Sequence, residues 1–509
     1  MSAGAAASPL PRSDLAQIAA VRVAVSGAVL LFGFRSVSDD DFSRVVIAEQ
    51  LAHAPKLDPS GTSWLPFPFW INGAAMLFLG RNLLVAHLVA LLLGVASSVL
   101  VAIAAQRLGA DRKVARLAGH FATLVGWSAW LGVATVPELF TAALTLFAAA
   151  TLATASPRDR MLGALALLAA TLSRYEPWPV AAVFALWSAI DVARHRRPPS
   201  MLLASLLAIA GPALWIAWNR FSHGDALHFV ARVTAYRRAL GDAANESTLA
   251  RVVAYPGALA REMPEVVLPA ALAAILALWP RARAAVLARA RACAAPLALA
   301  AVQIVALSGA LVKDGAPTHH PERAVLFPAL ALVVFLAGFE PDVKRRLPRR
   351  ALGVAAAVLV VRAAVMPAVA RLVGPTRPTL FAHLVRQVTP AEAFIDRRPE
   401  VAIGVLTAET LAPGTKVYIE DVEDYGYFAI LAGSGRPEDF VLSGDPDPRS
   451  PKKPTMTFER GAEEYALFLR AQGIGHVIAR GGERENAAAE RWGMKPLRRS
   501  SRFDLWQVP

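Results

Sequence analysis

Apolar runs of roughly 15–24 residues, separated by short polar connections, recur through the first 370 positions. A helix needs about 20 residues to cross the hydrocarbon core of a bilayer. The pattern predicts eleven spans, near 15–34, 82–105, 115–134, 138–154, 161–174, 177–193, 201–218, 264–280, 292–311, 324–340 and 351–370. The pair at 161–174 and 177–193 can also be taken as one long broken segment. Beyond residue 370 the period changes. Lys416 to Glu420, Phe440 to Leu442 and His476 to Ile478 have strand character, 425–433 and 461–472 helical spacing, and 494–499 with 502–508 the look of a hairpin. Alternating strands and helices predict a small sheet with helices packed on it. The expected architecture is an α-helical polytopic membrane domain over 1–370, followed by a soluble α/β domain over 371–509.

Composition supports this division. The 509 residues are 55% hydrophobic and 18% charged, with mean hydropathy +0.44. A soluble globular chain carries about 25% charge, so the composition argues against a soluble protein and against a disordered one. Cys293 is the single cysteine, which rules out an intramolecular disulfide and a cysteine-built zinc site. The net charge of +14 would by itself suit nucleic acid. Its placement argues against that partner. Residues 371–509 hold 19 basic and 19 acidic side chains, and the first 370 hold 34 and 20. The excess lies in connections between apolar runs, at Arg107 to Arg116, Arg158/Arg160, Arg194 to Arg197, Arg281 to Arg291 and Lys344 to Arg350. These are every second connection, as the positive-inside rule requires. The N-terminus is then cytoplasmic and 371–509 external. The loop at 219–263 fits badly, since it is external by this count yet carries Arg220, Arg232, Arg237, Arg238, Arg251 and Arg261. Arg supplies 45 of the 53 basic residues, which with abundant Ala suggests a GC-rich bacterial genome and so a bacterial inner membrane. Ser36-Val37-Ser38 has the form of a signal cleavage site, but the membrane protein that follows favours an uncleaved anchor.

Candidate chemistry gathers at the external ends of spans. The first external loop reads Ser38-Asp39-Asp40-Asp41-Phe42-Ser43-Arg44. Three adjacent carboxylates repel one another, which favours a raised pKa for at least one. Such a group can take a proton from a hydroxyl or help coordinate a divalent cation. Asp also suits the N-cap and first turn of a helix, and 42–53 has the spacing of a short amphipathic helix. Both roles stay open on the sequence alone. Trp64 to Trp70 is an aromatic and proline stretch suited to a membrane interface, a sugar ring or a polyprenyl chain. Glu138 opens a span, and Arg174-Tyr175-Glu176 precedes another, either as a local ion pair or as binding groups. His320, Glu322 and Arg323 close the late loop at 312–323. The His and Glu residues could ligate a metal, but prolines break the spacing that zinc sites use. Arg323 could hold a lipid phosphate. Asn245-Glu246-Ser247 is a glycosylation sequon in form only. Gly433-Ser434-Gly435 lacks the third glycine of a dinucleotide loop.

In order and topology these motifs resemble the GT-C superfamily of integral-membrane glycosyltransferases, which includes the lipid A aminoarabinose transferases and the protein O-mannosyltransferases. The likeness rests on Asp40-Asp41-Phe42 with the amphipathic segment through Glu49 and Leu51, and on Trp64 to Trp70 leading to Gly80-Arg81. Pro137-Glu138, Ser173 to Glu176, His320 to Arg323 and an external final domain complete it. Family members often have Asp-Glu where this chain has only Asp, so two registers are possible and Asp40 belongs to both. The resemblance implies transfer of a sugar from a polyprenyl-phosphate donor to a lipid, glycan or protein acceptor on the external face. It names Asp40 as the catalytic carboxylate, with Asp39 and Asp41 tuning it or holding a cation. Glu138, Arg174, Glu176, His320, Glu322, Arg323 and Trp64 are then substrate-binding groups. A lipid or sugar flippase is the main alternative, but it would be expected to carry ionisable residues near mid-span and two related halves.

Overall fold

The computed structural model describes residues 9–31, 34–195, 198–239, 247–313, 320–339, 395–420, 425–442, 462–500 and 502–509. In chain order the helices are α1 (Arg12–Leu31), α2 (Asp40–His53), α3 (Phe67–Leu79), α4 (Leu83–Arg107), α5 (Arg112–Leu124), α6 (Gly126–Leu131) and α7 (Glu138–Thr151). There follow α8 (Pro157–Thr171), α9 (Trp178–His195), α10 (Ser200–His223), α11 (His228–Ala239), α12 (Thr248–Glu262) and α13 (Pro264–Leu276). Next come α14 (Pro280–Ala292), α15 (Ala294–Val312), α16 (Pro321–Ala324) and α17 (Leu326–Ala337). The C-terminal part adds α18 (Arg398–Thr410), β1 (Val417–Ile419), α19 (Tyr427–Ser434), β2 (Phe440–Leu442), α20 (Ala462–Ala471), β3 (His476–Arg480), α21 (Glu483–Arg491), β4 (Lys495–Arg499) and β5 (Phe503–Gln507).

The chain is a multi-pass membrane protein of mostly helical fold with a small C-terminal sheet. Among the described residues, α1, α4, α10 and α15 are long and apolar enough to cross a membrane. The shorter apolar helices are α3, α7, α13 and α17. The segments predicted at 161–174 and 177–193 are two separate helices, α8 and α9. Ser156 accepts the Asp159 N–H at 3.3 Å, and Pro157 follows in the first turn, so α8 has a defined start. The run predicted at 115–134 is broken. Val125 is extended, and Glu265 Oε1 accepts the Gly126 N–H at 3.1 Å, which caps α6. Helices α3, α11, α12 and α14 occupy stretches where no span was predicted. The span predicted at 351–370 lies outside the described residues, as does the boundary placed at 370/371.

The fold divides into two compact units. Unit 1 comprises 1–35, 62–67 and 90–394, and contains the long helices from mid-α4 onward together with α1. Arg22, in the middle of α1, is fully buried there. Its Nε donates to Ser98 Oγ at 3.0 Å, Nη1 to the Ser128 carbonyl at 2.8 Å, and Nη2 to Ser128 Oγ at 2.9 Å. Glycine is required beside it. A Cβ on Gly94 would lie 2.5 Å from the Gly132 carbonyl oxygen, and one on Gly132 would lie 2.5 Å from Arg22 Nη1.

Unit 2 comprises 36–61, 68–89 and 395–509. Its five-stranded sheet has the order β2-β1-β3-β5-β4. β1 is parallel to β2 and β3, β5 is antiparallel to β3 and β4, and Val477 faces Trp506. Side chains alternate across a strand. Val417 and Ile419 of β1 therefore join one core with Ile403 of α18 and Ile430 of α19, while Tyr418 joins the other with Leu469, Val477 and Trp506. Helix α2 belongs to the first core. Phe42, Val45 and Val46 fall on one helical face and are buried there. Burial of an aliphatic or aromatic side chain of this size stabilises by about 1.5–3 kcal/mol. The first loop of the chain is thus an integral part of the same unit as the C-terminal sheet.

Candidate functional site

The acidic triplet sits in unit 2 at the head of α2, and the structure gives its members different partners. Asp41 Oδ2 accepts the backbone N–H groups of Val37 at 3.1 Å and Ser38 at 3.2 Å. It is buried, and it holds the loop that enters the helix. Asp39 occupies the N-cap position, but its side chain makes no cap hydrogen bond. It receives Arg397 instead, with Nε at 2.9 Å from Oδ1 and Nη2 at 3.0 Å from Oδ2, a bidentate pair. Asp40 is half-buried between them and begins the helix. The N-cap bond expected of one Asp is not made by Asp39, and Asp41 holds amides of the preceding loop rather than of the helix. Among the described residues, no group of three or more His, Cys, Asp or Glu is placed to hold a metal ion.

Two further groups near the triplet were given no role by the sequence. Arg397 is one. Glu49 of α2 is the other. Its carboxyl is fully buried, and neither oxygen has a hydrogen-bond partner among the described residues. Burial pushes it well above the usual carboxylate range, the Arg81 charge pulls it back, and the Glu438 charge adds to the rise. Arg81 pairs with Glu438 at 2.8 Å, and His53 Nδ1 stands 3.5 Å from the same carboxylate. The spacing Asp41, Val45, Glu49 places Glu49 on the core-facing stripe of α2, and that stripe was the available signal.

The other sequence-predicted residues lie in unit 1. Glu138 begins α7 and Arg174-Tyr175-Glu176 links α8 to α9. The structure joins them closely. Arg174 donates to Glu138 Oε1 at 2.5 Å, and its Nε and Nη2 lie 2.9 and 2.5 Å from Glu176 Oε1. Arg323, buried in α16, comes within 4.0 Å of Glu138. The local Arg174–Glu176 pair is thus real, and Glu138 extends it across helices. Arg174 sits between two carboxylates, and Arg323 stands 4.0 Å from one of them, Glu138. His320 Nδ1 is 3.1 Å from Glu322 Oε1. Burial raises the Glu322 carboxyl, but the His320 hydrogen bond and charge, with the Arg323 charge, more than offset this and hold it below the ordinary range.

Aromatic residues gather around Tyr175, which lies between Arg174 and Glu176 in the chain. Its hydroxyl donates to the Ser63 carbonyl at 2.5 Å and accepts Trp215 Nε1–H at 3.1 Å. Its ring stacks on Phe229 at 5.0 Å, and Trp178 meets both rings edge-on. Leu65 completes the cluster, and Trp64 beside it is half-buried. The 219–263 segment thus supplies Phe229 to this cluster.

No family model and no curated protein sequence matches the chain. Solved structures do. ArnT from Cupriavidus metallidurans, in crystals bound to undecaprenyl phosphate, aligns over 97% of this chain and 97% of its own, with TM-score 0.58 and 16% identity. This chain resembles ArnT in fold. The apo form of ArnT aligns over the same shares with TM-score 0.57 and 15% identity. The Archaeoglobus fulgidus oligosaccharyltransferase aligns over 92% of this chain and 69% of its own, with TM-score 0.48 and 12% identity. The ArnT likeness is one of fold and extends along nearly the whole chain.

Proposed function

We propose that this protein is a membrane glycosyltransferase that moves a sugar from a polyprenyl-phosphate donor to a lipid, glycan or protein hydroxyl at the external face of the membrane. One observation carries the reading: the first loop presents a carboxylate triplet with separate tasks, on a fold shared with ArnT, which was crystallised with undecaprenyl phosphate. Asp41 holds the loop amides and Asp39 holds Arg397; Asp40, the member common to both motif registers, is the carboxylate assigned here to chemistry. In this reaction Asp40 takes the proton of the acceptor hydroxyl while that oxygen attacks the anomeric carbon. The lipid phosphate leaves from the opposite face, and the anomeric configuration inverts. The departing phosphate carries the developing charge, and Arg323 is the cation proposed to meet it. The aromatic group around Tyr175 supplies apolar rings suited to a sugar face or a prenyl chain.

A flippase reading would lean on Arg22, which is ionisable at mid-span. Its donors, however, hold Ser98 and Ser128, two fixed groups of the helix packing. The separating experiment uses the purified full chain in vesicles with a panel of undecaprenyl-phosphate-linked pentoses, hexoses and hexosamines and an external membrane extract as acceptor. Release of undecaprenyl phosphate together with appearance of the sugar on an acceptor is expected. Translocation of an intact donor with no release would remove the transferase reading.

A further inference from the structure

The acidic loop does not stand by itself in unit 2. Ser36 bridges Ile395, and its Oγ donates to the Ile395 carbonyl at 2.9 Å. Two residues on, Arg397 grips Asp39 with two parallel hydrogen bonds across a sequence separation of 358. The grip is itself backed. Arg397 Nη1 reaches Glu400 Oε1 at 3.4 Å, one turn along α18, and Arg502 Nη1 reaches the same oxygen at 2.9 Å from the approach to β5. Charges alternate along Arg502, Glu400, Arg397 and Asp39, so each arginine lies beside a carboxylate. The Arg397 side chain is 12% exposed and Glu400 2%. Solvent screening is therefore weak compared with a surface pair such as Arg398–Asp396, where Arg398 is 65% exposed.

From this geometry we propose that Arg397 is a positioning residue for the acidic loop: the C-terminal domain fixes Asp39 by a bidentate clamp and so sets where the next carboxylate, Asp40, stands. The loop enters α2 through Val37 and Ser38, whose amides are held from within by Asp41. That internal bond sets the turn but leaves its attachment to the sheet domain open. The Ser36–Ile395 bridge and the Arg397–Asp39 clamp supply that attachment at two points three residues apart. A guanidinium is needed because only its planar fork matches both carboxylate oxygens at once. The catalytic consequence rests on the function proposed above, and the clamp itself does not.

The test uses the full chain in nanodiscs with Arg397→Ala, Arg397→Lys and the charge exchange Asp39→Arg with Arg397→Asp. Hydrogen exchange of residues 36–41 is the first readout. In Arg397→Ala these amides are expected to exchange at least about 10-fold faster, while β3 and β5 keep their protection. The exchanged pair should restore protection, and Lys should restore it only in part. Unchanged exchange in Arg397→Ala overturns the clamp. So does loss of protection throughout the sheet, which would make Arg397 a general stabiliser. The second readout is transfer from the undecaprenyl-phosphate sugar panel. Arg397→Ala should lower kcat by about 10- to 100-fold with the donor KM within threefold, since misplacement of the base acts on the chemical step. Faster loop exchange with kcat unchanged separates the clamp from catalysis and overturns the positioning role. If Asp40→Asn keeps full transfer, the base lies elsewhere and the positioning role toward Asp40 is overturned, and the exchange result still decides the clamp.

Discussion

Asp39, Asp40 and Asp41 are identical in the sequence and different in the fold. Their difference comes from the two neighbouring groups that claim Asp39 and Asp41, so substitution should separate them. Asp40→Asn keeps the shape and the helix-starting ability of Asp but cannot act as a base. A loss of roughly 10²–10⁴-fold in transfer is expected, with the melting temperature unchanged. Near-normal transfer by a folded Asn variant would move the base to Glu138 or Glu176. Glu49 makes a separate prediction, about stability. Its folded pKa is raised, so the native state binds its proton more tightly than the unfolded chain does. The associated stability is full below the ordinary Glu range and is lost as pH rises through the folded pKa. Glu49→Gln cannot ionise. Melting temperatures followed between about pH 4 and 9 should fall with rising pH in the native chain and be flatter in the variant. Parallel curves for the two proteins would show that Glu49 does not titrate in this window. The triplet was legible as an acidic motif because three carboxylates in a row are conspicuous. Its division of labour was not, because nothing local distinguishes Arg397 from the exposed Arg398 beside it. Glu49 was hidden by the plain expectation that a glutamate on an amphipathic helix faces water.

At the scale of elements, apolar run length located most of the helices and proline or polar residues located many of their starts. Periodicity misled where tertiary partners set the break. Val125 and Gly126 carry no helix-stopping signal strong enough to divide α5 from α6, and the divide depends on Glu265 more than a hundred residues away. Helices α11 and α12 fall in the stretch read as an arginine-rich loop, because arginines interrupt their apolar residues before a run long enough to span a bilayer builds up. The strands were found by their short alternating runs, and the β4–β5 hairpin falls where it was expected. Helix ends also decide which cation should matter. Arg174 lies in a linker between α8 and α9 and is committed to Glu138 and Glu176, whereas Arg323 lies in α16. Arg323→Ala is accordingly expected to weaken donor use by about 1.5–3 kcal/mol, the worth of a hydrogen bond to a charged group. Acceptor KM should change little. Steady-state kinetics with the donor varied would check this, and an unchanged kcat/KM for donor would return Arg323 to a structural role and favour the 219–263 arginines.

At the scale of the whole molecule, the feature least visible in the sequence is that unit 2 is discontinuous. A composition shift near residue 370 marks where apolar runs cease, but it carries no sign that 36–61 and 68–89 pack with the sheet. Hydrophobic stripes say that a face is buried and do not say against what. The interleaving also constrains topology. The segments of one compact unit that flank the bilayer must lie on one side of it, so the number of crossings from α4 to residue 395, α4 included, is even. The positive-inside pattern of the basic connections predicts that this side is external. Labelling of Lys56→Cys by an impermeant thiol reagent and activity of a periplasm-dependent reporter fused after Pro509 should agree, both external. Opposite sides for the two positions would overturn the arrangement of unit 2. The same interleaving has a consequence for synthesis. Chains grow at about 5–20 residues per second, so Arg397 leaves the ribosome roughly 20–70 s after Asp39. Through that interval the first loop has been threaded to its side of the membrane without the clamp, its strand bridge or the sheet that buries α2. A polypeptide whose translation stops anywhere before residue 395 therefore carries the acidic residues but lacks the groups that hold them. Completion of translation is then the event that closes the loop onto its support.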